Sequence, residues 1–351
     1  MTRQKNLPGW FSVWRRAATG ALAVVLTATP AWAAAPMEKL VFGWSAITGT
    51  QAIPWITKEA GLFEKSGLDT TFIYLDGGSR AVQVLLGGDT PIVQGGGSAP
   101  VAARLRGGDA TIILGIVNVL AYSLIVSPDI KKPEDLRGKK LAVSRYGSNS
   151  DYATRKLLVK WGLKPDIDVP ILQIPGGQPT RLGAVQNGQV AGLAAQPPLT
   201  TMARKAGLNF IATPADFGTN AYTNTPILTR GAFIRERRDT VRKFTRAIVE
   251  GIHVYKTQKE FSKKVIAKYM RVTDAEAIED SYQFFLPVVP AKPYPPIDGI
   301  REVLAELGEK DPKARSAKPE EFADSSFVKE LDDSGFIDSL YKAKRYIGLH
   351  K

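Results

Sequence analysis

The sequence predicts an α/β protein of two similar lobes, each a mostly parallel sheet flanked by helices, with a helical C-terminal tail on the first lobe. Three observations predict it. Lys140-Leu141-Ala142-Val143 is a short apolar strand that breaks into Gly147-Ser148-Asn149-Ser150 and then into a helix, and Lys39 to Ser45 runs into Thr48-Gly49-Thr50 in the same way about one hundred residues earlier. The offset persists downstream: Gly77 recurs as Gly177, Gly88 as Gly188, Ala103 as Ala203, Arg104 as Arg204 and Gly107 as Gly207. Between these anchors, strand, small-residue loop, helix and strand alternate at the rhythm of parallel βαβ units. A repeat this long lies far above the periods of solenoids and implies two α/β lobes.

The elements follow in order. The chain opens with basic residues up to Arg16, an apolar run from Ala17 to Thr29, and Pro30-Ala31-Trp32-Ala33. This is the pattern of a secretory signal peptide cleaved after Ala33. Arg15-Arg16 raises the twin-arginine route, but Ala17-Ala18 lacks the bulky apolar pattern that route prefers, so the general secretory route is expected. In the first lobe, helix Ala52 to Glu64, strand Thr70 to Leu75, helix Ala81 to Leu86, strand Gly88 to Val93, helix Pro100 to Leu105 and strand Thr111 to Val117 follow the first corner. Strand Ser123 to Val126 leads to the lobe boundary. The second lobe repeats the series through helix Tyr152 to Trp161, strand Ile171 to Ile174, helix Thr180 to Gln186, strand Val190 to Ala195, helix Leu199 to Lys205 and strand Phe210 to Ala212. Tyr222 to Thr229 crosses back, and from Phe233 the pattern is nearly all helical. The expected division is residues 1–33 as signal peptide, 34–126 with 227–351 as the first lobe, and 127–226 as the second. Two crossings, near Tyr122 to Pro128 and Tyr222 to Pro226, make a hinge.

Composition narrows the function. With 351 residues, 44% hydrophobic and 23% charged, the chain is long enough for two lobes with proper cores. The formal charge is +13, and loss of Arg3, Lys5, Arg15 and Arg16 with the signal peptide leaves 13 − 4 = +9. The basic cluster Arg235 to Arg246 has helical spacing among acidic residues and carries no nucleic-acid motif, which fits a solvated helix face and not nucleic-acid binding. Cysteine is absent, so a disulfide, a thiolate nucleophile or a cysteine-based metal site has no material. His253 lies in a helical pattern and His350 is the penultimate residue, so no catalytic residue, metal site or cofactor is expected.

The order Gly77-Gly78-Ser79-Arg80-Ala81-Val82-Gln83, Gly95-Gly96-Gly97-Ser98-Ala99-Pro100, Pro133 to Val143, Gly147-Ser148-Asn149-Ser150 and Gln196-Pro197-Pro198 resembles the periplasmic substrate-binding proteins of ABC importers of the nitrate/sulfonate/taurine and thiamine-precursor group. The resemblance covers roughly Leu40 to Leu307. It implies a two-lobed type II periplasmic binding protein fold in the periplasm, a small-molecule ligand, and an ABC permease and ATPase as partners. A monomer that meets the inner membrane only through the permease is expected. The alternatives are a ligand sensor or a thiamine-precursor-type enzyme of the same fold. Ala195-Gln196-Pro197 departs from the Trp-Asp-Pro that sulfonate binders of the group often carry.

Carried over position by position, the family's ligand loops fall on Ser45, Thr48, Gly49 and Thr50, on Gly78 and Ser79, on Gly97 and Ser98, on Ser148, Asn149 and Ser150, and on Gln178, Gln196 and Pro197. The unaided reading puts these loops at the carboxyl ends of strands, where open α/β sheets bind ligands. Tyr122 joins them as one of several aromatics, with Trp44, Trp55, Tyr74, Tyr146 and Tyr222, placed to form a stacking wall or to pack in the core. Arg80 and Arg145 are candidate partners of an anion. The glycines serve tight turns equally well, and Ser148 or Asn149 equally well caps a helix. Two facing helix starts with short donors favour an anionic or carbonyl-rich ligand.

Overall fold

A computed structural model describes residues 36–218 and 221–342. The expected signal peptide with its cleavage after Ala33, and His350, lie outside the described residues. The strands are β1 Glu38–Trp44, β2 Leu68–Tyr74, β3 Ile92–Gln94, β4 Thr111–Gly115, β5 Ser123–Val126, β6 Leu141–Val143, β7 Ile171–Gln173, β8 Gly192–Ala195, β9 Asn209–Ala212 and β10 Pro226–Thr229. The helices of the two lobes are α1 Ala52–Glu59, α2 Leu62–Lys65, α3 Gly78–Gly87, α4 Ala99–Leu105, α5 Asn149–Lys160, α6 Gly177–Gln186 and α7 Leu199–Lys205. The tail adds α8 Gly231–Glu236, α9 Arg238–Thr257, α10 Lys259–Met270, α11 Ala275–Phe285, α12 Ile297–Gly308, α13 Pro312–Ser316, α14 Ser326–Asp333 and α15 Phe336–Lys342.

Two five-stranded sheets result, ordered β2-β1-β3-β10-β4 and β7-β6-β8-β5-β9. In each, four strands run one way and one opposes them: β10 is antiparallel to β3 and β4, and β5 is antiparallel to β8 and β9. The hundred-residue register survives as three-dimensional equivalence: α4 and α7, β3 and β8, and α3 and α6 occupy matching places. Gly77 and Gly177 show why the repeat is written in glycine. Both adopt positive φ, 93° and 89°, where each strand turns into its helix and a side chain would be strained. Strands β4, β5, β8 and β10 are buried along their whole length, as expected of strands covered on both faces.

Each opposing strand belongs to the sheet of the other half of the chain, and this moves the first boundary. Ser123–Val126, assigned from sequence to the end of the first lobe, pairs with β8 and β9 and so lies in the second sheet. The crossing therefore precedes it, at Ile116 to Tyr122. There it runs beside the return crossing: Tyr222 N donates to Asn118 O at 2.7 Å, Thr225 N to Val117 O at 3.2 Å, and Asn224 Nδ2 to Val119 O at 2.9 Å. Return is complete at Pro226, where β10 begins.

Most of the tail packs on the first lobe. Phe244, Ile248 and Ile252 of α9 share a core with Phe42 of β1 and Trp55 of α1, and Phe327 of α14 joins them. Two tail helices also reach the second lobe, which the expectation of a tail on the first lobe did not include. On α11, Asp280 accepts from Thr201 Oγ1 of α7 at 2.6 Å, and Lys205 of α7 pairs with Asp274 and Glu276, both at 2.7 Å. On α12, Ile300, Val303 and Leu304 join a core that contains Val93 and Ile112 of the first sheet as well as Leu124, Leu141 and Tyr152 of the second lobe.

Candidate ligand-binding site

Between the lobes, at the carboxyl ends of β1 and β6, the doubled corner closes on a cavity. It leaves about 30 Å³ to the centre of a water-sized sphere, room for two or three waters. In the second lobe Ser148 is the N-cap of α5, with extended backbone, and its Oγ accepts from Asp151 N at a long 3.5 Å. Ser144 Oγ donates to Ser148 Oγ at 2.9 Å, and Ser150 Oγ lies 3.1 Å from each of them, so three buried hydroxyls form a triangle. Asp151 braces this corner. Its carboxyl accepts from Gly147 N at 2.8 Å and from Arg155 Nε at 2.8 Å, while burial, outweighing both, pushes its pKa above the usual aspartate range.

The first-lobe corner is built differently. Thr48 is followed by a single 3₁₀ turn, Gly49–Gln51, before α1, and its side chain makes no cap; its Oγ1 lies 2.6 Å from Thr50 Oγ1. Gln51 Oε1 accepts from Ser45 N at 3.2 Å. Both corners start helices on facing lobes, as expected, but only the second carries a hydrogen-bonded cap.

Nine of the residues expected at the site line this cavity: Ser45, Thr50, Gly78, Tyr122, Ser148, Asn149, Ser150, Gln178 and Gln196. The others have different surroundings. A Cβ at Gly49 would meet Ser281 and Phe285 of α11, and Pro197 offers its carbonyl to Gly49 N at 3.5 Å. Gly97 is a place of close approach between lobes, where a Cβ would come 2.9 Å from the Gly147 carbonyl. Thr48 stands behind Thr50, and Ser79 and Ser98 lie at the starts of α3 and α4 outside the lining.

Among the lining residues that sequence reasoning missed, Arg181 carries the positive charge. It sits one helical turn after Gln178 on α6 and is 4% exposed. One guanidinium nitrogen donates to Ile174 O at 2.9 Å, Nε has no partner, and no carboxylate among the described residues forms an ion pair with it. Burial pushes its pKa below the usual arginine range, opposed by the Asp76 carboxylate. Arg80 and Arg145, the arginines named from sequence, do other things: Arg80 is exposed, and Arg145 Nε donates to Asp76 O at 2.9 Å across the cleft. The spacing Gln178 to Arg181, three residues along one helix face, was the available signal. Three further lining atoms are buried without partners, Gln196 Nε2, Asn149 Oδ1 and Thr225 Oγ1. Buried polar groups are rarely left so, and four around one cavity give it free hydrogen-bonding capacity.

Tyr74 and Asp76 complete the mouth. Tyr74 OH donates to Asp76 Oδ1 at 2.9 Å, and Gly176 N of the second lobe donates to Asp76 Oδ2 at 2.9 Å. Tyr122, buried beside Arg181, has its hydroxyl pKa pushed well up by desolvation.

Two lobes of this topology closed on a polar cavity define the type II periplasmic binding protein fold. Residues 51–260 match the model of the NMT1/THI5 like family, and the chain belongs to that family. A protein of Brucella abortus, described as a binding protein, is 27% identical over 260 residues, covering 73% of this chain and 79% of the relative. Among solved structures, one from Bordetella bronchiseptica superposes with a TM-score of 0.76 at 20% identity, covering 85% of this chain and 98% of that one. The alkanesulfonate-binding protein SsuA of Xanthomonas axonopodis, bound to MOPS, superposes with a TM-score of 0.66 at 18% identity, covering 82% and 96%.

Proposed function

We propose that the protein is a periplasmic solute-binding protein that encloses the anionic group of a small organic compound between its lobes and delivers it, unchanged, to an ABC permease with its ATPase. The observation that carries the ligand class is Arg181: a guanidinium buried in the cleft with no carboxylate partner is costly unless an anion completes it. Ser148, Ser150, Gln178 and Gln196 add short neutral donors around it, and the N-terminus of α5 adds its dipole. The names of structural relatives, among them a sulfonate binder, agree with an anionic guest. No helix among the described residues is long and apolar enough to cross a membrane.

Calorimetry with charged and neutral compounds of matched shape tests this reading, using methanesulfonate against dimethyl sulfone and benzoate against benzamide. The anions are expected to bind at least tenfold more tightly. Equal affinity within both pairs would overturn the anion reading, and mass-spectrometric detection of a chemically altered compound after incubation would favour an enzyme.

A further inference from the structure

The cleft cavity is too small for more than a head group, so the body of an organic anion has to leave it. A second and larger cavity, about 460 Å³, lies next to the first, with Tyr74 in the wall of both. Its walls are Trp44, Ile47, Tyr74, Tyr269 and Met270, with Lys268 and Arg271 at the rim. The rings form a continuous array: Tyr74 and Trp44 lie 4.7 Å apart, Trp44 meets Trp55 edge-on at 5.1 Å, and Trp55 stacks on Tyr269 at 5.1 Å and 9°. Trp55 is fully buried and accounts for the array's share of the core. Tyr74 is 37% exposed, and Trp44 and Tyr269, which pack against the core on one side, are only half-buried and keep part of their surface open to the groove.

The groove also stands where the lobes meet. A Cβ on Gly177, at the start of α6, would lie 3.3 Å from Ile47 and 3.7 Å from Tyr74 OH, and α6 carries Arg181 one turn further on. Lys268 is paired with Glu59, and Arg271 leaves a positive edge that suits an anion and repels a cation.

We infer that this groove is a second subsite for the aromatic or heteroaromatic body of the ligand, whose anionic head lies in the cleft cavity; the inference rests on the anion reading above. Flat rings stack on Trp and Tyr faces at favourable energy beyond their area, whereas a short alkyl group has nothing to stack. The ligand class is then an aryl sulfonate or aryl carboxylate.

Calorimetry on the whole mature protein with methanesulfonate against benzenesulfonate, and acetate against benzoate, reads the groove with the head group held constant. The aryl member of each pair is expected to bind at least tenfold more tightly, and Tyr269→Leu to weaken the aryl members at least fivefold while leaving the alkyl members unchanged. Quenching of tryptophan emission by 4-nitrobenzenesulfonate, from Trp44, gives a readout of the unmutated protein should Tyr269→Leu fold poorly. Equal affinity of aryl and alkyl members, or binding of the nitro compound without quenching, overturns the groove and leaves the anion reading standing. Binding of no anion in the panel overturns both.

Discussion

The two lobes share a register and differ in what they bring to the cleft. Where the second lobe carries Gln178, Arg181 and Gln196, the first has Gly78, Ala81 and Gly96; where the first carries Trp44 and Tyr74, the second has Ser144 and Ile174. One backbone plan has thus been filled twice, once with charge and hydrogen-bond donors and once with rings and small residues. The glycines of the first lobe are not idle: a Cβ at Gly96 would fall 1.9 Å from the Asn224 carbonyl oxygen and 2.6 Å from Asn149 Nδ2. Its counterpart Gln196 has room for a whole side chain. The lesson is that equivalence in fold leaves each lobe free to specialise, the second in charge and hydrogen-bond donors and the first in small residues that let the other lobe approach.

The largest break in this asymmetry is removal of its charge. Arg181→Met should raise the dissociation constant for an anion about 10- to 150-fold, the equivalent of about 1.5–3 kcal/mol for one hydrogen bond to a charged group. The same change should raise the melting temperature of the ligand-free protein, because a buried guanidinium without a carboxylate partner is removed. Calorimetry and thermal melts on one preparation check both signs, and a fall in both affinity and stability would mean that Arg181 is structural.

Gly96→Ala comes next. It places a methyl group where the Asn149 to Asn224 contacts of 2.5 and 2.9 Å join the lobes, so closure should fail and affinity fall about tenfold. Small-angle scattering at saturating ligand should show less compaction than the unmodified protein. Unchanged compaction would show that the crossing moves aside cheaply.

The smallest effect compares the two corners directly. Ser148→Ala loses a cap and two sides of the hydroxyl triangle, so stability should fall by about 1 kcal/mol and affinity by about 0.5–1.5 kcal/mol. Thr48→Ala, at the equivalent position, loses no cap and no lining group, and less than half of either effect is expected. Equal losses at both positions, measured by melting and calorimetry, would restore the symmetry of the doubled corner.

Much of the fold was legible because it is enforced locally. Strand ends that turn tightly into helices demand glycine and short polar residues, so the repeat announced both the lobes and the loops Ser45 to Thr50 and Ser148 to Ser150. The lobe of β5 was not legible: Ser123–Val126 is a buried apolar run that would fit either sheet, and only pairing with β8 and β9 decides between them. Arg181 was hidden for a related reason. An arginine in a helix ordinarily points to solvent, and what buries this one is the opposing lobe. Ser144, Thr225 and Asp76 escaped likewise, because a strand end, a crossing and a turn acquire meaning only when the lobes meet.

Asp76, at the mouth of the cavity, holds that meeting together: its carboxylate accepts from Gly176 N and its carbonyl from Arg145 Nε. Such contacts contribute the same free energy to closure whatever compound lies inside. They cancel when two ligands are compared, so the ratio of two dissociation constants is set by the groups that face the ligand. The absolute value of each constant also depends on how favourable closure itself is. Affinity and selectivity are therefore separable properties of this molecule. Removing the Arg145 contact should shift every ligand by one common factor and leave their order of preference untouched, because Arg145 does not line the cavity.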